Sequence, residues 1–96
     1  MKLRLIITDA VQQKLTDKHR VTRTEVVQCF ANKKGRMLGD NREDHQTDPP
    51  TRWFVADTDA GRALKVIFVR DGGMVFLKSA FEPNEEELRI YSKYGL

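Results

Sequence analysis

Apolar and polar residues alternate most clearly between Gly61 and Phe81, in the sequence GRALKVIFVRDGGMVFLKSAF. Apolar side chains recur at every second position on both sides of Asp71-Gly72-Gly73, which is typical of two β-strands. Because glycine adopts positive φ at little cost, it favours a primed two-residue turn between the strands. The pattern therefore predicts an antiparallel hairpin.

The hairpin has two possible registers, with Asp71-Gly72 or Gly72-Gly73 in the turn, and both keep the same residues on each face. We favour Gly72-Gly73, because the other register places Lys65 opposite Lys78 and like charges repel. One face is predicted to be core: Leu64, Val66, Phe68, Val75, Leu77 and Phe81. The second face carries Lys65, Ile67, Val69, Met74, Phe76 and Lys78. Its apolar members gain ~1.5–3 kcal/mol each on burial, so we expect the last helix, or else a partner, to cover them.

A short strand in residues 3–7 and a first helix are predicted at the N-terminal end. Asp9 precedes Gln12 by three residues, which is the spacing of a capping box and predicts the start of the helix. We place its end near Lys18 and His19, because cations favour the negative end of the helix dipole.

A second helix follows, and the two helices form a hairpin. Thr22 and Glu25 have capping-box spacing, and Gly35 is expected to adopt a left-handed conformation at the C-terminal end. Residues 39–51 form a polar loop, in which Pro49-Pro50 excludes regular hydrogen-bonded structure.

A third strand is predicted at Trp53–Asp57, and a last helix follows the hairpin. Asn84 is its expected N-cap, Glu85–Glu87 suit the positive end of the helix dipole, and Leu88 and Tyr91 are expected to pack. The predicted fold is α+β and a single domain over residues 1–96, with two N-terminal helices, an antiparallel three- to four-stranded meander sheet and a C-terminal helix.

Length and composition narrow the classes of protein. A chain of 96 residues supports one hydrophobic core. No apolar run approaches the roughly 20 residues of a membrane span, and the apolar N-terminal stretch is too short for a signal peptide. Cys29 is the single cysteine, so an internal disulfide is excluded and we expect a buried small side chain in a cytoplasmic protein.

Charge is distributed unevenly along the chain. Residues 1–36 contain nine Lys and Arg against three Asp and Glu, a net +6, whereas residues 37–60 contain two against six, a net −4. The basic third is suited to phosphates or an acidic partner, although a solvated helical surface explains it equally well.

Several positions resemble the BrnT toxin family. They are Lys18-His19, Val21, Glu25-Val26 and Phe30 near the helix junction, Gly61-Arg62 before a strand, and Ser79-Ala80, Glu87, Arg89 and Tyr91 near the end. The resemblance implies a RelE-like fold, a metal-independent ribonuclease activity without a cofactor, RNA or the ribosome as target, and a cognate antitoxin. Two departures are Arg20, where that family usually has glycine, and the longer 40–51 loop.

Two other functions are alternatives to the ribonuclease. One is a non-catalytic binding module that pairs through its sheet face. The other is an ADP-ribosyl-protein hydrolase, because the chain also resembles short bacterial proteins labelled ADP-ribosyl-dinitrogen reductase hydrolase. Such hydrolases resemble large all-helical proteins with several metal-binding aspartates, a framework that 96 residues cannot hold.

Metal-free RNA cleavage requires a base, a cation at the phosphorane and an acid. Arginine suits the cation because its planar fork matches phosphate, and imidazole titrates near neutral pH. The predicted catalytic residues are Arg62, Arg89, His19, His45 and Glu87. The predicted RNA-binding residues are Lys18, Arg20, Lys65 and Lys78.

Each predicted catalytic residue also has a purely structural interpretation. His19 suits a helix end, His45 a solvated loop, Glu87 a capping box with Asn84, and Arg62 a sheet edge. Arg89 and Tyr91 are also suited to packing the last helix on the sheet. The acidic loop that contains Asp40, Glu43, Asp44, His45 and Asp48 has metal-binding side chains, but its spacing fits no EF-hand, and we expect no metal site.

Overall fold

The computed structural model describes residues 4–39 and 50–96 as an α+β fold with a five-stranded mixed sheet between helices. The strands are β1 (Leu5–Ile6), β2 (Leu38–Gly39), β3 (Thr51–Asp57), β4 (Ala63–Asp71) and β5 (Met74–Phe81). The helices are α1 (Asp9–Lys14), which continues into a π-helical segment (Leu15–His19), α2 (Arg23–Asn32) and α3 (Glu85–Tyr94). None of the described helices is long and apolar enough to cross a membrane.

The sheet has the strand order β1-β5-β4-β3-β2. Strands β2 to β5 follow one another as antiparallel neighbours, but β1 pairs in parallel with β5, with Leu5 opposite Val75. The predicted antiparallel sheet of three to four strands is therefore wrong in strand count and in the direction of β1. A two-residue strand carries too short a pattern to reveal a partner some 70 residues away.

The hairpin between β4 and β5 confirms the favoured register. Asp71 pairs with Met74, so Gly72 and Gly73 form the turn, with φ of 59° and 83°. Two consecutive positive φ values belong to a type I′ turn, which matches the twist of the flanking strands.

A β-bulge interrupts the ladder between Ile67 and Phe68, and it overturns one predicted core position. Beyond the bulge, Lys65 faces Phe81 and Val66 faces Ala80. Phe81 therefore shares the face of Lys65, and the fully buried Ala80 occupies the core position that we predicted for Phe81. A bulge adds one residue to one strand, which strict alternation does not anticipate.

Helices α1 and α2 cover the sheet face that contains Phe54 and Phe68. Phe30 of α2 makes edge-on contacts with both rings, at centroid distances of 4.9 and 5.4 Å. The core of this layer also contains Leu15, Val21, Val26, Cys29, Leu64, Val66 and Leu77.

The ends of the two helices are partly as predicted. The Thr22–Glu25 capping box is confirmed, but the N-cap of α1 is Thr8, whose hydroxyl accepts from the Val11 amide, rather than Asp9. The predicted left-handed cap at Gly35 is also wrong, because α2 ends at Asn32 with Lys33 as its C-cap, and Gly35 does not adopt positive φ.

Helix α3 lies on the opposite sheet face. The Asn84–Glu87 capping box is confirmed, and Tyr91 is buried with its ring 5.7 Å from that of Trp53. Leu88, which we expected to pack, is 40% exposed. The second face of the hairpin, which we expected the last helix or a partner to cover, is covered only in part. Val69 on this face is buried, but Met74 is 37% exposed.

Candidate functional site

A shallow cavity of about 410 Å³ lies where the π-helical segment, the start of β4 and the end of β5 meet. Six residues line it: Lys18, His19, Arg20, Arg62, Phe81 and Glu82. Four of them were predicted as site residues, so residues that lie far apart in the sequence come together here. We call this the junction cavity.

Arg20 turns the chain at the edge of the junction cavity. It adopts the left-handed conformation, with φ 54° and ψ 47°, and its amide donates to the Leu15 carbonyl. The next amide, of Val21, also donates to the Leu15 carbonyl, at 2.9 Å. Such a cap favours glycine, since a Cβ is disfavoured at positive φ. Arg20, which we named as a departure from a family that usually has glycine, therefore occupies a backbone conformation that glycine adopts more easily.

Arg62 enters the cavity from a tight turn before β4. The Thr58 amide donates to the Arg62 carbonyl at 2.9 Å, and the Arg62 amide donates to the Thr58 hydroxyl at 3.1 Å. These two bonds fix the backbone from which the guanidinium group projects.

The guanidinium group of Arg62 is surrounded by four acceptor residues. Nε donates to Glu82 at 2.8 Å, Nη1 to the Arg20 carbonyl at 2.9 Å and to Glu25 at 3.1 Å, and Nη2 to the His19 carbonyl at 3.1 Å. Most of its donors are therefore occupied, so a phosphate that used this group would have to displace carboxylates.

The contacts around Arg62 change the pKa values of Glu25 and of Arg62 itself. Burial alone would raise the pKa of Glu25, but hydrogen bonds from the Thr22 backbone and from Arg62 outweigh burial and lower that pKa. The hydrogen bond to Glu82, followed by that to Glu25, raises the pKa of Arg62 against the effect of burial. Glu25 stays ionised, and Arg62 stays cationic.

His19 presents a neutral imidazole to the cavity. Its ring lies 5.4 Å from that of Phe81 and is partly buried. Burial, followed by the charges of Lys18 and Lys14, lowers the pKa of His19 below 6.5. A neutral imidazole at neutral pH can accept a proton.

Lys18 and Arg20 are the exposed cations of the junction cavity. No salt bridge joins either side chain to another described residue. Within the described ranges, therefore, no carboxylate neutralises either charge, in contrast to that of Arg62.

Lys65 and Glu87 lie beyond Phe81 and bind each other. Lys65 is 8% exposed, and its ammonium group lies 4.6 Å from the centroid of Trp53 and 5.8 Å from that of Phe81. Glu87 also closes the capping box of α3. Lys65 lies inside the fold rather than on the RNA-facing surface that we expected, and Glu87 already has two structural roles.

The remaining predicted residues lie apart from the junction cavity or outside the described ranges. Arg89 is exposed on α3, 4.0 Å from Glu86. Glu87 points towards the sheet, and side chains two positions apart on a helix do not face each other, so Arg89 points elsewhere. Lys78 is exposed at the bulge of β5, and His45 lies outside the described residues.

A second concavity, of about 650 Å³, lies between the end of α2, β3 and α3. Leu88, Val55, Lys34 and Leu96 are among its lining residues. Asn32 borders it and donates to the Asp57 carbonyl at 3.0 Å and to Asp59 at 2.9 Å. No sequence pattern predicted this groove, because its walls come from three elements.

Sequence reasoning missed two lining residues of the junction cavity, Glu82 and Phe81, and it missed Glu25 as a partner of Arg62. Glu25 had a visible capping role, which explains its presence without the ion pair. Glu82 lies 20 residues from Arg62, and no local pattern signals such a pairing.

Comparisons with known proteins give no match to a family model, to a curated protein or to a solved structure. Within residues 4–39 and 50–96, no group of three His, Cys, Asp or Glu side chains is arranged to hold a metal ion. The acidic loop that we considered for metal binding lies almost wholly outside these ranges.

Proposed function

We propose that the protein is a BrnT-like ribonuclease toxin, or a diverged relative of one, and that it binds RNA at the junction cavity. The observation that carries the proposal is the meeting of two exposed cations, Lys18 and Arg20, with the imidazole of His19, whose pKa is lowered. Neither cation forms a salt bridge with another residue of the described ranges. Phosphate contacts supply most of the affinity for a nucleic acid, and a neutral imidazole supplies a base.

The proposed reaction is transesterification within one RNA strand. His19 accepts the proton of a 2′-hydroxyl group, and the 2′-oxygen forms a bond to the adjacent phosphorus. Lys18 and Arg20 stabilise the added negative charge of the phosphorane. The bond to the 5′-oxygen then breaks, and this oxygen takes a proton from water. The protonated His19 returns its proton to the hydroxide that remains, and the products are a 2′,3′-cyclic phosphate and a 5′-hydroxyl end.

The decisive experiment incubates the purified protein with bulk RNA and with a single-stranded oligonucleotide in the presence of EDTA. We expect cleavage by the wild type, loss of at least about a hundredfold in His19→Gln, and weakened binding in Lys18→Ala. Lys34→Ala is the matched control, since Lys34 is an exposed lysine beyond the end of α2. Absence of both cleavage and binding in the wild type contradicts the proposal.

Growth arrest on induction provides the cellular counterpart. His19→Gln is expected to relieve the arrest, and Arg89→Ala separates two versions of the site. If Arg89→Ala also relieves the arrest while the protein still folds, the active surface extends to α3. If it does not, the junction cavity is sufficient.

A second candidate function is a non-catalytic binding module. Its support is a set of exposed apolar side chains on α3 and at the C-terminal end: Leu88, Ile90, Tyr94 and Leu96 are 37–73% exposed. A cognate antitoxin, expected from the resemblance, is the corresponding partner. Tight binding of a partner by a protein without ribonuclease activity favours this function over the first.

A further inference from the structure

We infer that Arg62 is a positioning residue of the junction cavity: it orients His19 and Arg20 through their carbonyl groups and does not itself bind the phosphate. The catalytic part of this inference rests on the proposed function. The sequence predicted that Arg62 itself stabilises the phosphorane, whereas here Arg62 holds the residues that do so.

The first argument is the geometry of the carbonyl contacts. Helix ends leave carbonyl groups without partners inside the helix, and side-chain donors commonly satisfy them. The guanidinium group of Arg62 donates to the His19 carbonyl at 3.1 Å and to the Arg20 carbonyl at 2.9 Å. This one planar group therefore holds the backbone of both the proposed base, His19, and a proposed cation, Arg20.

The second argument is the backbone of Arg20. A non-glycine residue at φ 54° is strained, and such a conformation persists only where the surroundings enforce it. The Arg62 bond to the Arg20 carbonyl acts directly on this residue. Loss of this hydrogen bond is expected to destabilise the turn between the π-helical segment and α2, which brings Lys18, His19 and Arg20 to one cavity.

The charge around Arg62 also disfavours a phosphate there. Arg62 contacts two carboxylates, those of Glu25 and Glu82, so the three groups together carry a net charge of −1. A phosphate is repelled by such a group and is attracted instead to Lys18 and Arg20. The anion therefore approaches the cavity from the side of these two residues.

The test uses the full-length protein with Arg62→Lys, which keeps the charge but cannot reach four acceptors at once. Three measurements are made well below the melting temperature: circular dichroism, the NMR titration of the His19 ring, and binding of a fluorescent single-stranded oligonucleotide. Glu86→Gln is the matched control, because Glu86 forms an exposed pair with Arg89 outside the cavity.

The expected result for Arg62→Lys is a folded protein whose His19 pKa rises towards its ordinary value, as the ring becomes less buried. Lys18 and Lys14 from its own helical stretch and Phe81 from β5 surround this ring. The other charged residues that line the cavity are Arg20, Arg62 from the turn before β4, and Glu82. Oligonucleotide affinity falls about tenfold, the loss expected for about 1.4 kcal/mol. Glu86→Gln changes neither quantity.

Two outcomes overturn the inference. If Arg62→Lys folds and retains both the wild-type pKa of His19 and the wild-type oligonucleotide affinity, Arg62 does not position the cavity residues. If its melting temperature is also lower, the role of Arg62 is purely structural. If the affinity falls while the His19 titration is unchanged, Arg62 is a direct phosphate ligand.

Glu82→Gln keeps the question decidable if Arg62→Lys fails to fold, since the Glu82 side chain is 66% exposed and its replacement is mild. Loss of one surface carboxylate is expected to raise oligonucleotide affinity by about threefold at most. A rise of about tenfold or more shows instead that Arg62, once released, binds the phosphate directly. A wild type that binds no oligonucleotide contradicts the proposed function, whereas the His19 titration still decides the role of Arg62.

Discussion

The ammonium group of Lys65 and the carboxylate of Glu87 form a salt bridge that joins β4 to the first turn of α3. The two side chains are only 10% and 19% exposed, and the ring of Trp53 covers the ammonium group at 4.6 Å. A charge pair with so little water around it is costly to break by removing one partner, because the other charge stays buried.

Lys65→Met and Glu87→Gln are each expected to lower the free energy of unfolding by about 3 kcal/mol, measured by urea denaturation. The glutamine keeps the capping box of α3 intact. The double variant is expected to lose less than the sum of the two, by at least about 1 kcal/mol, because it leaves no uncompensated charge. The exposed pair of Arg89 and Glu86 supplies the control, since Glu86→Gln is expected to change stability by less than about 0.5 kcal/mol. Additive single effects contradict this account.

Local features of the fold could be predicted from the sequence because neighbouring residues encode them. The turn at Gly72-Gly73 and the capping boxes that begin with Thr22 and Asn84 each depend on a spacing of two or three residues. Backbone conformation at such sites follows from local sterics and hydrogen bonds, so the residues themselves carry the information.

The pairings between distant residues could not be predicted. The bulge in the β4–β5 ladder changes the face of Phe81 without any glycine or proline to indicate it. Likewise, the sequence identified Arg62 and Lys65 as available cations, whereas the fold gives both of them carboxylate partners about 20 residues away. Which cations remain free depends on the register and helix packing, which alternation alone does not determine.

Arg20→Gly is expected to stabilise the protein by about 0.5–1 kcal/mol, because glycine adopts the observed positive φ without the steric cost that a Cβ brings. The hydrogen bonds of residue 20 to Arg62 and to the Leu15 carbonyl are made by its backbone, so they remain in the variant. A thermal melt checks the change, and Arg20→Val, with a branched Cβ, is the control and is expected to melt below the wild type. A lower melting temperature for Arg20→Gly contradicts the proposed strain. The gain in stability is expected to accompany weaker RNA binding.

Gly35→Ala is expected to destabilise the protein by about 1–3 kcal/mol, the usual cost of overpacking. A Cβ at Gly35 would lie 2.5 Å from the Gly95 carbonyl oxygen and 2.7 Å from the Tyr91 hydroxyl. Both groups are held in place, because the Arg36 amide donates to the Gly95 carbonyl and the Tyr91 hydroxyl donates to the Arg36 carbonyl. Urea denaturation measures the effect, with Lys34→Ala as the neighbouring exposed control. Equal stability of the two variants means that the C-terminal residues move aside.

Stability is expected to fall in two steps as the pH decreases from 7 to 4. Burial and the nearby charges of Lys18 and Lys14 lower the pKa of His19 below 6.5, so the unfolded chain takes up this proton first and stability declines as the pH falls below about 6.5. Burial opposes the shift at Glu25, but hydrogen bonds from Thr22 and Arg62 lower its pKa below 4.5, so a second decline begins near pH 4.5.

Urea denaturation at intervals across this pH range measures both steps, and two variants separate them. In His19→Gln the decline between pH 7 and 5 is expected to flatten, because the titrating imidazole is absent, whereas the step below pH 4.5 persists. In Glu25→Gln the opposite pattern is expected, on a lower overall stability, since Arg62 loses one charged partner. A His19→Gln variant with the wild-type slope between pH 7 and 5 shows that folding does not lower the pKa of His19, and it contradicts the partial burial of this ring at the junction cavity.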